Sequence, residues 1–484
     1  MMLKRKQGFL LIPLAVLILP LTGQASESGS PAAKPEVAAV IDVFDAWAEY
    51  RATRREQPGV SIGLVYDQEL IWAKSYGYAD LVNKTTATPS TAYRIASLSK
   101  VFTATAILQL RDTGLLQLDD PVAKHLDWFR LQDKHPDSSV ITIRHLLTHT
   151  SGLPRELDAL YWDEMDFPDR EAFVKMLQEA STILPRETKF KYSNVAFGVL
   201  GLLVEAVSEQ NYSDYVTENI FAPLGMTASR VLPPKDMPAL ATGYKYRKPG
   251  KPRIEEPFTD LAAMVSAGNL ASTVEDLAKF LALQFREGPA GGAQILKGPT
   301  LREMQRVHWL DPEWEGGRGL GWGILRLNGR TLIGHGGYVP GHTTTITADP
   351  KEKFAVIVLT NAGDGEPFSY ARQAWSIVAP AVIKAMAEAE KPPVADESWV
   401  QYVGLYEWDD GAVSRVMLLN GELALVDPAS DTPWESRVRL EPVSDGVFKM
   451  KDPTQEGELV RFELDADGKV TRMVLPGYSL QKAD

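Results

Sequence analysis

The spacing of hydrophobic positions changes several times along the chain, and each change predicts an element. Over 38–55, Val40, Ile41, Val43, Phe44 and Trp47 fit an amphipathic helix, which Pro58-Gly59 ends. Two short apolar runs follow at 60–66 and 69–74, around an Asp67-Gln68 turn, and predict a β-hairpin. From Ser97 onward Val101, Phe102, Ala104, Ala106, Ile107, Leu108 and Leu110 cover most of a helix's circumference, and Gly114 stops it. A helix this apolar belongs in the middle of a domain. The chain then stays helical and loop-rich, with Ser272-Thr273-Val274-Glu275 reading as a capping box that opens a helix through Phe280. Strand spacing returns at 320–324, 331–334, 342–347 and 354–360, and a helix is predicted over 367–387.

Strands at both ends with helices between predict an α+β fold. One antiparallel sheet, built from early and late parts of the chain and flanked by helices, would carry a mostly helical insertion. This first domain spans 38–387, with the Ser97 helix at the seam, where sites often form. Residues 388–397, with Lys391-Pro392-Pro393, read as a linker. Over 398–484 the pattern becomes short strands and tight turns, including a hairpin across Asn420-Gly421, and predicts a small all-β, barrel-like domain. Asp465-Ala466-Asp467-Gly468 reads as a hairpin turn, since the later ligands of a calcium loop are absent.

The N-terminus changes the expected address. Lys4-Arg5-Lys6, an apolar run over 9–21 and the small residues around Ala25 predict a signal peptide at 1–25. That run is too short to span a bilayer, so no stable membrane span is expected after cleavage. The mature protein is expected to be exported, periplasmic or secreted. Residues 26–37 read as a disordered lead-in. The chain has no cysteine, which excludes disulfides, a lipobox cysteine and thiolate metal sites. Formal charge is −12, and loss of the three leader cations leaves −15, which argues against nucleic acid as a partner.

Candidate chemistry centres on Ser97-Leu98-Ser99-Lys100. On a helix, Ser97 at the N-terminal end and Lys100 one turn later share a face. The helix start favours developing negative charge, and desolvation there would favour the neutral, proton-accepting lysine. An N-cap serine followed by a surface lysine would show the same short pattern. His145 and His149 stand at i, i+4, a spacing zinc sites use, but no acidic or cysteine partner accompanies them in a recognisable pattern. Neither a metal nor another cofactor is expected.

Three motifs then occur in order: Ser97-x-x-Lys100, Tyr192-Ser193-Asn194 and His335-Gly336-Gly337. With the flanking stretches 141–154, 220–226 and 272–280, they resemble the serine β-lactamase and penicillin-binding-protein superfamily. The similarity is to the branch of class C β-lactamases, D-amino-acid-releasing peptidases and related esterases. It covers 38–387, and the β domain resembles the lipocalin-like C-terminal domains of some members. The resemblance implies that Ser97 forms an acyl-enzyme and that Lys100 and Tyr192 share the proton work. It implies that Asn194 orients Lys100 or holds a substrate carbonyl, and that the N–H groups of Ser97 and Tyr338 form an oxyanion hole. Gly337 is expected to give the substrate room along its strand. His335-Gly336-Gly337 departs from the Lys-Thr-Gly of penicillin-recognising members, so a weaker grip on a β-lactam carboxylate is expected, with His335 bonding the Tyr192 hydroxyl or a substrate oxygen. The expected function is an exported hydrolase of small amides or esters, D-amino-acid peptides among them, with a small-molecule or peptide substrate. A β-lactamase or D-Ala carboxypeptidase, or a catalytically idle ligand-binding protein, are the alternatives.

Overall fold

The computed structural model describes residues 30–389 and 396–483, apart from Asp133, Leu160, Glu315, Asn420, Trp434, Glu435 and Pro453. The signal peptide expected at 1–25 and most of the linker expected at 388–397 lie outside the described residues. The chain divides after Ala385 into two compact units.

The first unit is built on an antiparallel sheet. Its strands are β1 (Gly59–Tyr66), β2 (Glu69–Asp80) and β3 (Thr85–Thr86) from the early chain. From the late chain come β6 (Trp309–Leu310), β7 (Gly316–Arg318), β8 (Gly323–Leu327), β9 (Arg330–Val339), β10 (His342–Asp349) and β11 (Phe354–Thr360). A separate two-stranded ladder joins β4 (Tyr93–Arg94) to β5 (Ala271–Ser272). Sheet order is β3-β2-β1-β11-β10-β9-β8-β7-β6, so early and late chain meet where β1 pairs with β11, Val60 opposite Thr360. Both strands are buried along nearly their whole length, as a sheet covered on two faces requires. The fold is therefore α+β, as the strand pattern at the two ends predicts.

Helices Pro35–Arg54 and Pro367–Ala389 lie together, Trp47 edge-on to Tyr370 at 5.6 Å, and reach the sheet through Phe44 on Trp72 and Trp375 on Phe354. Helix Val274–Gln284 packs on β1, so closely that a Cβ on Gly63 would stand 2.4 Å from Val274 Cγ1. Two local expectations shift. The first helix begins at Pro35, inside the stretch read as a disordered lead-in, because proline suits its first turn and Val37 is buried. The predicted capping box moves by one residue. Thr273 is the N-cap and accepts from Asp276 N at 3.1 Å, while Ser272 ends β5 and Glu275 accepts from Ser90 Oγ.

The second unit is a closed antiparallel barrel of eight strands, from Gly404–Glu407 to Tyr478–Lys482. Its interior is filled by side chains: Tyr402 stacks on Phe462 at 4.6 Å, with Tyr406, Phe448 and Met473 buried beside them. The hairpin pairs Leu419 with Glu422, and Asp465 Oδ1 accepts from Asp467 N and Lys469 N in a plain turn. Among the described residues no helix is long and apolar enough to cross a membrane.

Candidate active site

From Thr91 to Leu108 every residue is buried except Ser97, which is partly open. The surroundings explain why. Ladder β4–β5 and the bond from Ile95 N to Leu270 O (2.8 Å) pin the chain just before the serine. Ala96 then turns left-handed, with φ +52°, at a cost of about 1–2 kcal/mol for a residue with a Cβ. Ser99 Oγ closes the turn by donating to Ala96 O (2.7 Å), and helix Ser99–Asp112 runs into the core.

Lys100 is fully buried one turn later. Its Nζ donates to Asn194 Oδ1 (2.8 Å) and Ala267 O (2.6 Å) and lies 3.2 Å from Ser97 Oγ, from which the neutral amine can accept. Burial lowers its pKa; Tyr192, by charge and hydrogen bonding, and Glu156, by charge, partly oppose this. Nζ also stands 5.1 Å from the Tyr192 ring centroid.

Tyr192 and Asn194 arrive together because Ser193 caps helix Asn194–Ser208. Its Oγ accepts from Ala196 N (2.9 Å) and donates to Pro154 O (2.6 Å), so neither neighbour is the cap. Asn194 gives Oδ1 to Lys100 and donates through Nδ2 to Glu156, which also accepts from Tyr161 OH (2.9 Å). The oxygen is held by Lys100 and one N–H by Glu156, so the amide orients Lys100, and its second N–H remains on a residue that lines a cavity at Ser97. His149 lies under Tyr192, ring centroids 4.4 Å apart, and accepts through Nδ1 from Ser193 N (3.1 Å). His145 Nδ1 accepts from Thr142 N (3.2 Å) in a capping box. Each of these histidines thus has a structural task, and among the described residues no group of three or more His, Cys, Asp or Glu could hold a metal.

Strand β9 brings His335, Gly336, Gly337 and Tyr338 alongside Ser97. Gly337 does not make room for substrate, contrary to expectation. A Cβ there would stand 2.3 Å from Ile95 O and 2.4 Å from Thr344 Oγ1, so glycine lets β9 close onto the turn before Ser97. A Cβ on Gly336 would meet Phe368 Cζ at 2.6 Å. His335 does not bond Tyr192, whose ring centroid is 6.4 Å away; Nδ1 donates to Gly336 O (2.7 Å), because a carbonyl can only accept. Its pKa is pulled down to about 3 by burial and by the charges of Lys100 and Arg318. At neutral pH the ring is uncharged with Nε2 unprotonated, which makes it an acceptor and no anchor for a carboxylate.

Sequence reasoning missed Arg155, Glu156 and Arg318. Arg155 stands over the Tyr192 ring (5.3 Å) and Arg318 over Phe190 (3.8 Å). The one available signal was a charged residue set among glycines, Gly316-Gly317-Arg318-Gly319. Two cavities open at Ser97. One, about 460 Å³, is lined by Tyr192, His335, Arg318 and Phe190; the other, about 440 Å³, by Asn194, Glu156 and apolar side chains. A serine hydroxyl with a buried amine, a phenol and two cavities around it can support acyl transfer.

A family model described as beta-lactamase matches residues 44–379. Protein flp of Staphylococcus aureus (strain N315) is 29% identical over 322 residues, 66% of this chain and 62% of that protein. Beta-lactamase-like protein 2 of Dictyostelium discoideum is 32% identical over 245 residues, 50% of this chain and 44% of that protein. This chain thus spans less than two thirds of the length of either relative. The octameric penicillin-binding protein homologue from Pyrococcus abyssi superposes with TM-score 0.62 at 25% identity, covering 91% of this chain and all of its own. EstCE1, a hydrolase with promiscuous acyltransferase activity, superposes with TM-score 0.59 at 22% identity, covering 72% of this chain and 98% of its own, and shares the fold.

Proposed function

The chain belongs to the beta-lactamase family of serine hydrolases, and from that premise we propose that it cleaves small amides or esters through an acyl-enzyme on Ser97. Ser97 Oγ attacks the carbonyl carbon while the neutral Lys100 amine takes its proton. The developing oxyanion lies between the N–H groups of Ser97 and Tyr338; removing one such donor in comparable sites costs about 10²–10³ in rate. Lys100 and Tyr192 pass the proton to the leaving atom, and water then hydrolyses the ester. The observation that carries this reading is Lys100 Nζ 3.2 Å from Ser97 Oγ, with burial favouring the uncharged amine. D-Amino-acid peptides are among the candidate substrates. The leader pattern at 1–25 supports an exported, periplasmic or secreted protein. β-Lactam turnover or D-Ala carboxypeptidase activity is the alternative within the family, and idle ligand binding the alternative outside it.

The test is labelling by a fluorophosphonate and a fluorescent penicillin with the adduct mapped, beside turnover of D-aminoacyl amides, short-chain esters and cephalosporins. Ser97→Ala is expected to abolish labelling and turnover while keeping the fold, since the hydroxyl caps neither the short turn it lies in nor the helix that follows. Activity within about tenfold of wild type in that variant removes Ser97 as nucleophile. No adduct with any probe favours the idle binder.

A further inference from the structure

Residues 190–193, which carry Tyr192 to the site, belong to neither helix nor strand. A phenol that must meet a leaving atom needs a fixed position, and a loop alone does not supply one. One residue, His149, supplies the holds. It lies in the turn after helix Ile143–Leu147, buried, with φ +58°. A side chain with a Cβ rarely takes that left-handed conformation, which persists only where the surroundings over-determine it. Here they do. His149 O accepts from Lys191 N (2.8 Å) and its Nδ1 accepts from Ser193 N (3.1 Å), so it bonds the chain on both sides of Tyr192. Between those bonds its ring lies on the phenol, centroids 4.4 Å apart and planes 30° apart. Phe197 at 5.1 Å and Phe190, edge-on at 5.8 Å, confine the imidazole in turn.

The ring's chemistry fits holding and not proton transfer. Burial, with the charges of Lys100, His335 and Arg318, keeps its pKa well below the usual histidine value. An imidazolium would carry a proton on both nitrogens and could not accept from Ser193 N, so the neutral ring keeps its proton on Nε2. We propose that His149 is the positioning residue of Tyr192, holding the hydroxyl where it hands a proton to the leaving atom. The proposal rests on the acyl-Ser97 reading above. As the carbonyl–oxygen bond of an ester breaks, its electron pair stays on the leaving oxygen. That oxygen takes the Tyr192 proton, and Tyr192 is refilled with the proton Lys100 took from Ser97. His149 therefore matters most for esters and amides whose leaving group cannot depart as an anion.

Two esters test this, 4-nitrophenyl butyrate and ethyl butyrate, with the full-length protein and its His149→Phe, His149→Ala, His149→Asn and Tyr192→Phe variants. Both esters give the same acyl-enzyme, so kcat/KM isolates the step in which they differ. The ratio between them also cancels the amount of folded enzyme. Nitrophenolate departs without a proton, whereas ethoxide needs one. His149→Phe keeps a ring beside Tyr192 and deletes the acceptor. It should lower ethyl butyrate roughly tenfold to a hundredfold more than the nitrophenyl ester. His149→Ala reads the same ratio without the bulk of a phenyl ring, which keeps the test alive where His149→Phe fails to fold. His149→Asn, whose amide oxygen can accept from Ser193 N and which tolerates a left-handed backbone, should recover part of the ratio. Tyr192→Phe should show the same selectivity more strongly. A lesion that only loosens the fold lowers both esters alike. Equal losses with His149→Phe or His149→Ala would therefore overturn the assignment, as would a selective loss that His149→Asn does not relieve. Equal losses with Tyr192→Phe, or hydrolysis that survives Ser97→Ala, would instead defeat the reading beneath it, so the two failures are distinguishable.

Discussion

Removing the charge of Glu156 while keeping its shape separates two effects on Lys100. The carboxylate fixes the Asn194 amide, whose other end accepts from Lys100, and its charge favours the ammonium form. Glu156→Gln keeps an acceptor for Asn194 Nδ2 and deletes the charge. Lys100 also feels Tyr192 and Arg155, and its own charge acts on His149 and His335. Those groups are unchanged in the variant. Losing a negative neighbour lowers the pKa of Lys100, and the neutral amine then persists to lower pH. The acid limb of kcat/KM should therefore move toward lower pH, with the plateau reduced about fivefold as one hydrogen bond loses its charge assistance. A pH–rate profile on a neutral ester checks this; a limb that stays put or moves up refutes the coupling. The Ser97–Lys100 pair was legible in the sequence because both residues share one helical turn. Glu156 was not, since it reaches Asn194 from 38 positions away, by packing that no local period records.

Strand β9 shows what a motif of small residues is for. The sequence marked Gly337 correctly but suggested that its missing side chain serves the substrate. The contact geometry gives the reason to Ile95 O and Thr344 Oγ1, the atoms against which β9 closes. Gly337→Ala must push the strand off the Ala96 turn, because the obstructing Ile95 atom is backbone and cannot rotate away. If the Tyr338 N–H is the second oxyanion donor, as proposed above, its displacement should lower kcat about 10²–10³-fold, with the thermal midpoint affected far less in relative terms. Activity within a few-fold of wild type would place the second donor elsewhere. Elements with strong period or length, such as β1, β11 and the Ser99–Asp112 helix, were readable in advance. Strand β6 at the sheet's edge and β7 beside it were not, because two or three residues carry no alternation to detect.

At the scale of the whole molecule, each unit has a core of its own. The first is organised around the Ser99–Asp112 helix, with Phe102 against Phe280 at 4.2 Å. The second closes its strands around Tyr402, Tyr406, Phe448 and Phe462, and closure leaves its sheet no free edge. The change from helix-rich to short-strand pattern made this division visible in the sequence, whereas closure depends on the first strand meeting the last, Tyr406 opposite Lys482. Because Ser97, Lys100, Tyr192 and both cavities draw only on the first unit, damage to the second core should spare the chemistry. Phe462→Ala is the sharpest such lesion: the ring is buried, stacks on Tyr402 and meets Tyr406 and Phe448 at 5.8 and 5.7 Å. Emptying that space costs about 3–5 kcal/mol, a large share of what a small barrel has to lose. Thermal unfolding followed by circular dichroism, with ester hydrolysis assayed on the same samples, should show an early transition absent from wild type. Hydrolysis should survive that transition and disappear at the later one. Loss of activity together with the early transition would mean that the barrel sustains the hydrolase unit, and that the two cores do not unfold as separate bodies.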